Sequence, residues 1–208
     1  MKKALSTRLM PFAYMDGANL VTMLNLLIAA LALMLIFSGH RFLPLLLVFS
    51  AILLDHLDGY LARRFYAHDS LKRGFGKQLD TLADLVNFNV VIAMLVFAQC
   101  REYPLFAGMA AALLVFCGAV RLSHFTLQSG DGPEASFGLQ TPYAAFIVLV
   151  LLMLQMAGRL PGGEGAVLAL SAFFALLQIT CVPIRMPANR LLIPGMTLLF
   201  GLTLWVSF

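Results

Sequence analysis

The chain has 208 residues, 61% of them hydrophobic and only 12% charged, with a formal net charge of +4. Soluble globular domains carry about 25% charged residues, so this composition excludes one and points to a polytopic membrane protein with no nucleic-acid partner. About 20 apolar residues cross the hydrocarbon core, so the length allows six to eight spans.

Seven spans are expected, at about 18–38, 42–63, 78–99, 104–127, 139–158, 165–184 and 188–207, in one all-α transmembrane helix bundle covering 1–208. Residues 1–17 form a cytoplasmic or interfacial start. Residues 5–15 within it read either as a short amphipathic element or as an irregular lead-in. The basic start passes through Pro11 and Asp16 into a span-length helix without a small-residue cleavage pattern, so the first helix is expected to be an uncleaved anchor.

The first span carries Asn19, Thr22 and Asn25 three residues apart, on one face of an otherwise apolar helix. Such residues either bond a neighbouring helix or touch a ligand. The second span ends in Asp55-His-Leu-Asp58-Gly59-Tyr-Leu-Ala62-Arg63, and the third opens with Gly76-Lys-Gln-Leu-Asp80-Thr-Leu-Ala-Asp84. An ionised Asp at the centre of a span costs about 2.5–3.5 kcal/mol on insertion scales, so four together imply a compensating cation. Helical spacing puts Asp55, Asp58 and Ala62 on one stripe and Gly76, Asp80 and Asp84 on another. Two facing stripes would gather the hard carboxylate oxygens that Mg²⁺, Mn²⁺ or Ca²⁺ prefers, and helix bundles build two-metal sites this way. Gly59 and Ala62 leave room for a substrate, and Arg63 offers a fixed positive charge to a phosphate.

Further along, Arg121 lies near the end of an apolar helix, where it needs an anion or the interface. His56 falls one step off the Asp stripe and reads as a packing residue, while His40, His68 and His124 sit near helix ends without metal-ligand spacing. Cys100, Cys117 and Cys181 are scattered in or near apolar segments and read as packing residues. Ser129–Pro133 and Pro161–Gly163 read as turns. Eleven of the fourteen Lys and Arg fall on the side of the N-terminus and the acidic motif, so that side is expected to be cytoplasmic and the C-terminus outside.

At the acidic residues the chain resembles the CDP-alcohol phosphatidyltransferase family, whose signature is D-x-x-D-G-x-x-A-R, a spacer, then G-x-x-x-D-x-x-x-D. All of it is present, as Asp55, Asp58, Gly59, Ala62, Arg63, Gly76, Asp80 and Asp84, with a spacer of twelve residues that is longer than the family's usual one. Extra loop length costs little closure entropy. Three further stretches resemble the phosphatidylserine synthase branch. Asn19 to Asn25 is similar to P-N-x-x-T-x-x-N, with Ala18 in place of proline, and Phe75–Phe88 to F-G-x-x-L-D-S-L-A-D-x-V-S-F. Arg121–Phe125 with Phe137–Ala145 is similar to R-L-A-R-F and F-x-G-L-P-T-P-A-A-A, with His124 replacing an arginine and Gln140 a proline.

The resemblance implies metal-dependent transfer of a phosphatidyl group from CDP-diacylglycerol to the hydroxyl of L-serine, with release of CMP. Two ions, Mg²⁺ or Mn²⁺, would be held by Asp55, Asp58, Asp80 and Asp84, and Asp84 would also take the hydroxyl proton. Gly59, Ala62, Arg63, Asn19 and Thr22 would receive the nucleotide and phosphates. Arg121 would meet the serine carboxylate, with Asn25, Ser123, Gln140 and Thr141 as neighbours. The family implies a homodimer in a bacterial or archaeal cell membrane. Choline, inositol or glycerol 3-phosphate are the rival acceptors. The rival class is an ion- or proton-coupled transporter, against which stands the lack of inverted-repeat symmetry or paired broken helices.

Overall fold

The computed structural model describes residues 16–65, 70–128, 138–182 and 189–207, and these are helical, with no strand among them. In chain order they are α1 Gly17–Phe37, α2 Leu43–Phe65, α3 Ser70–Asp84, a wide π-type turn Leu85–Val91 that leads without a break into α4 Ile92–Gln99, then α5 Pro104–Gln128, α6 Thr141–Met156, α7 Gly163–Gln178 and α8 Asn189–Ser207. The seven expected spans are therefore all present as helical rods. The amphipathic reading of residues 5–15, the 129–133 turn and His68 lie outside the described residues.

Burial follows the logic of a membrane bundle. On α1 the inward face is Ala18, Asn19, Thr22, Asn25, Ala29, Ala32 and Ile36, small or polar residues at helical spacing. The outward face carries Leu20, Leu27 and Met34, each more than 60% exposed. Small residues let backbones approach, and leucines on the far side suit lipid tails. Helices Gly17–Phe37, Gly74–Gln99 and Pro104–Leu127 are long and apolar enough to cross a membrane, and four shorter apolar helices accompany them. Together they make this an integral membrane protein.

Local chemistry sets the ends. Asp16 caps α1 by accepting from the Asn19 N–H at 2.9 Å, a bond worth about 1 kcal/mol. Gly39, at φ +84, closes α1 with its N–H on the Ile36 carbonyl, while His40 N–H reaches Leu35. Pro142 sits in the first turn of α6, and Gly158 at φ +66 stops it. This is why α6, with 16 residues, falls short of its expected span. Gly162 and Gly163 both have positive φ and form the expected turn into α7.

Two features differ from the expectation. The third rod begins at Ser70 and not near 78, and α2 runs on to Phe65, so the long spacer between Arg63 and Gly76 is mostly helix. Basic residues between the two expected spans, Arg64, Lys72 and Arg73, sit on the two helices instead. Hydropathy marks where lipid ends, whereas the helix continues wherever its own hydrogen bonds are satisfied. The second difference is the π turn, which no periodicity had indicated.

The core lies where α2, the π turn, α4 and α6 meet. Leu45, Val48, Ile52, Phe88, Ile92, Leu95, Leu149 and Leu152 are all buried there. The π turn touches α1, α2, α5 and α6, making it the hub of the bundle. α8 packs on α6 and stacks Phe200 on Phe49 with ring centroids 3.8 Å apart. At the end remote from the acidic residues, Gln99 Nε2 donates to the Arg41 carbonyl at 3.4 Å, and Glu102 N–H donates to Glu164 Oε2 at 2.7 Å.

Candidate functional site

α2 supplies Asp55 and α3 supplies Asp80 and Asp84, the latter two one turn apart on one face. Each offers a carboxylate oxygen, and the three oxygens lie within 4.8 Å of one another; all three residues are half-buried. Asp55 on α2 and Asp84 on α3 thus bring their carboxylates together across the gap between the two helices. Two ionised carboxylates about 4 Å apart repel by about 4 kcal/mol at an effective dielectric of 20. Their convergence thus requires a shared proton or a cation. Oxygens around a common ion at about 2.1 Å stand about 3 to 4.2 Å apart. A small inward movement of the three carboxylates would therefore enclose a divalent ion, and the donor set is the all-oxygen set such an ion takes.

Asp58 follows Asp55 by three residues on α2, and Gly59 beside it is half-buried. The side chains of Asp58, Ala62 and Arg63 lie outside the described residues. Gly76 is explained by packing: a Cβ there would overlap the side-chain amide of Asn19 and stand 3.3 Å from Asn19 Cγ. The signature glycine is thus a point of close approach between α1 and α3, and it brings Asn19 beside the acidic helix. Thr22 donates its hydroxyl to the Ala18 carbonyl at 3.2 Å within its own helix. Asn25, buried one further turn along, accepts on its backbone carbonyl from Asn87 Nδ2 at 3.2 Å. The polar face of α1 therefore runs alongside Asp80 and Asp84, with Gly76 at one end and Asn87 at the other.

On the other flank, Arg121 of α5 donates from Nη1 to Thr141 Oγ1 at 3.2 Å, joining α5 to the start of α6. The guanidinium is also within charge–charge range of Asp84. Thr141 is fully buried and Gln140, the residue capping α6, is half-buried. Ser123, two residues from Arg121, is exposed on another face of α5 and is not brought to this group. His56 places Nδ1 2.8 Å from the Ile52 carbonyl, so that nitrogen is the protonated one. It lies 3.9 Å from Asp55 Oδ2 and edge-on to Tyr143, which fits the packing role expected of it.

Three residues near the site were not singled out from sequence. Asn87 and Asn89 are fully buried on the π turn, Asn89 packed against Gly118 so tightly that a Cβ there would overlap its amide. Tyr143 lies within charge range of Asp55. Their only sequence signal is polarity within an apolar run, which a lone Asn shares with many core residues. Lys77 tethers α3 to α5 by donating to the Thr126 carbonyl at 3.1 Å.

A family profile described as CDP-alcohol phosphatidyltransferase matches residues 15–183. Archaetidylserine synthase of Methanothermobacter thermautotrophicus is 33% identical over 62% of this chain and 54% of its own length. The CDP-diacylglycerol–serine O-phosphatidyltransferase of Bacillus subtilis is 29% identical over 64% of this chain and 72% of its own. That of Helicobacter pylori is 30% identical over 81% of this chain and 70% of its own. The matched part thus spans about half of the archaeal relative and about seven-tenths of the two bacterial ones. With the profile covering the acidic residues, the polar face of α1 and the Arg121–Thr141 pair, the chain belongs to the CDP-alcohol phosphatidyltransferase family.

Proposed function

We propose that the chain transfers a phosphatidyl group from CDP-diacylglycerol to the hydroxyl of L-serine and releases CMP. The observation that carries this reading is the convergence of Asp55, Asp80 and Asp84 at the polar end of apolar helices. Asp58 completes the donor set from α2. Two divalent ions, Mg²⁺ or Mn²⁺, when bound, neutralise the pyrophosphate and the charge that develops in an in-line displacement.

The chain's own residues then divide the work. Asn19 and Thr22, with Gly59, Ala62 and Arg63 on α2, receive the nucleotide and its phosphates. Arg121, held by Thr141, pairs with the serine carboxylate through its planar fork of donors. Asp84 accepts the hydroxyl proton as the serine oxygen bonds to the phosphatidyl phosphorus and the bond from that phosphorus to the CMP oxygen breaks. The acyl tails stay in lipid beside α1 and α2. The site opens to the cytoplasm, the single domain forms a homodimer, and the membrane is that of a bacterium or archaeon. The serine assignment draws on the activities for which the two bacterial relatives are named.

The test is CMP release by purified protein with CDP-diacylglycerol and Mg²⁺ or Mn²⁺, comparing serine with choline, inositol and glycerol 3-phosphate. Serine-dependent release is expected. Release with another acceptor alone would overturn serine, and none with any acceptor from folded protein would overturn the transferase.

A further inference from the structure

Asn25 and Asn87 meet where α1 crosses the π turn, Asn87 lying three residues beyond Asp84 in the chain. Both are buried, with exposures of 1% and 0%. Asn87 Nδ2 donates to the Asn25 backbone carbonyl. Since a carbonyl only accepts, this bond fixes which end of the Asn87 amide is the nitrogen and turns its oxygen elsewhere. Asn87 Oδ1 and Asn25 Oδ1 are both shut off from solvent, and neither accepts a hydrogen bond. Buried side-chain acceptors nearly always find a donor. Two without one, on residues joined by that bond and with Asn87 three residues along the chain from Asp84, are where a donor that arrives with a ligand would be satisfied.

We propose that these two amide oxygens seat the ammonium group of the acceptor, making Asn87 a specificity-determining residue for an amino alcohol. The inference rests on the proposed reading of the site as a serine-using transferase. An ammonium has three N–H donors and no acceptor, so it needs a cluster of oxygens. The carboxylates nearby belong to the divalent ions, and a further carboxylate would recruit another such ion. Neutral amide oxygens satisfy an ammonium without competing for the metals. The placement also suits a 1,2-amino alcohol that bears a carboxylate: hydroxyl toward Asp84, ammonium toward Asn25 and Asn87, carboxylate toward Arg121.

The experiment uses the full chain in lipid nanodiscs with CDP-diacylglycerol and Mn²⁺. It compares L-serine with 3-hydroxypropanoate, which keeps the hydroxyl and carboxylate and lacks the ammonium. Where the analogue is not turned over, its inhibition constant against serine is read instead. Asn87→Leu is expected to raise the KM for serine about tenfold or more, as for loss of a hydrogen bond to a charged group, with kcat within about threefold. The constant for 3-hydroxypropanoate stays unchanged. Asn87→Ser, which retains an acceptor and a donor, recovers part of the serine KM. Equal losses on both acceptors would reduce the pair to packing or to a trapped water and overturn the seat, as would a wild type that does not distinguish them. Wild-type protein that is folded yet releases no CMP with serine would overturn the proposed function itself, a different outcome. If Asn87→Leu does not fold, Asn25→Ala and Asn87→Ser decide: a serine KM unmoved in both overturns the seat.

Discussion

Replacing Gly76 by alanine tests the close approach that brings α1 to the acidic helix. The new Cβ would overlap the Asn19 amide and stand 3.3 Å from its Cγ, and Asn19 is 4% exposed, so there is little space for it to turn into. Overpacking costs about 1–3 kcal/mol, and the lower half applies because the obstructing atom ends a rotatable side chain. A loss of about 1–2 kcal/mol corresponds to about 2–8 °C in Tm for a chain of this size. Thermal unfolding in detergent micelles reads it directly. Asn19→Ala removes the obstruction, so the double variant should recover stability relative to additivity, with a coupling of about 1 kcal/mol. A Gly76→Ala protein as stable as wild type, or strictly additive single losses, would refute the claim that Gly76 is there to admit Asn19.

Asp84→Asn should lower CMP release about a hundredfold or more, as expected for loss of a general base and metal ligand, with folding retained. Mn²⁺ binding followed by electron paramagnetic resonance should weaken in Asp55→Asn and Asp80→Asn, and unchanged binding in both would remove the metal assignment. Thr141→Val takes away the hydroxyl that holds Arg121. It should raise the serine KM about three- to tenfold, by the worth of one hydrogen bond, with kcat little changed. Among the cysteines, Cys181 is exposed while Cys100 and Cys117 are buried. Burial, with a smaller contribution from Glu164, pushes the Cys100 thiol up to about 12, so its reactive thiolate is scarce at any pH below that. A membrane-impermeant maleimide at pH 7.5 should therefore label Cys181 alone, and should do so from the cytoplasmic side if the proposed orientation is right. Labelling only from the opposite side would reverse the topology.

Seven helical rods, the acidic pair of helices and the family were all legible in the residues, because hydropathy over a span-length window and charge within it are local quantities. Sequence groups Arg121 with both Thr141 and Ser123; the structure joins Arg121 to Thr141, while Ser123, two residues along α5, is turned to another face. Hydropathy leaves residues 64–77 between spans, because apolar length says where lipid ends and nothing about where a helix does. What only the tertiary structure decided is how the rods meet. The π turn at Leu85–Val91 depends on Asn87 and Asn89 finding Asn25 and Gly118 on other helices. The fit of Asn19 against Gly76 and the convergence of Asp55 from α2 with Asp84 from α3 depend likewise on residues far apart in the chain. A sequence fixes which groups are costly to bury; their partners follow from packing, and packing is a property of the whole bundle.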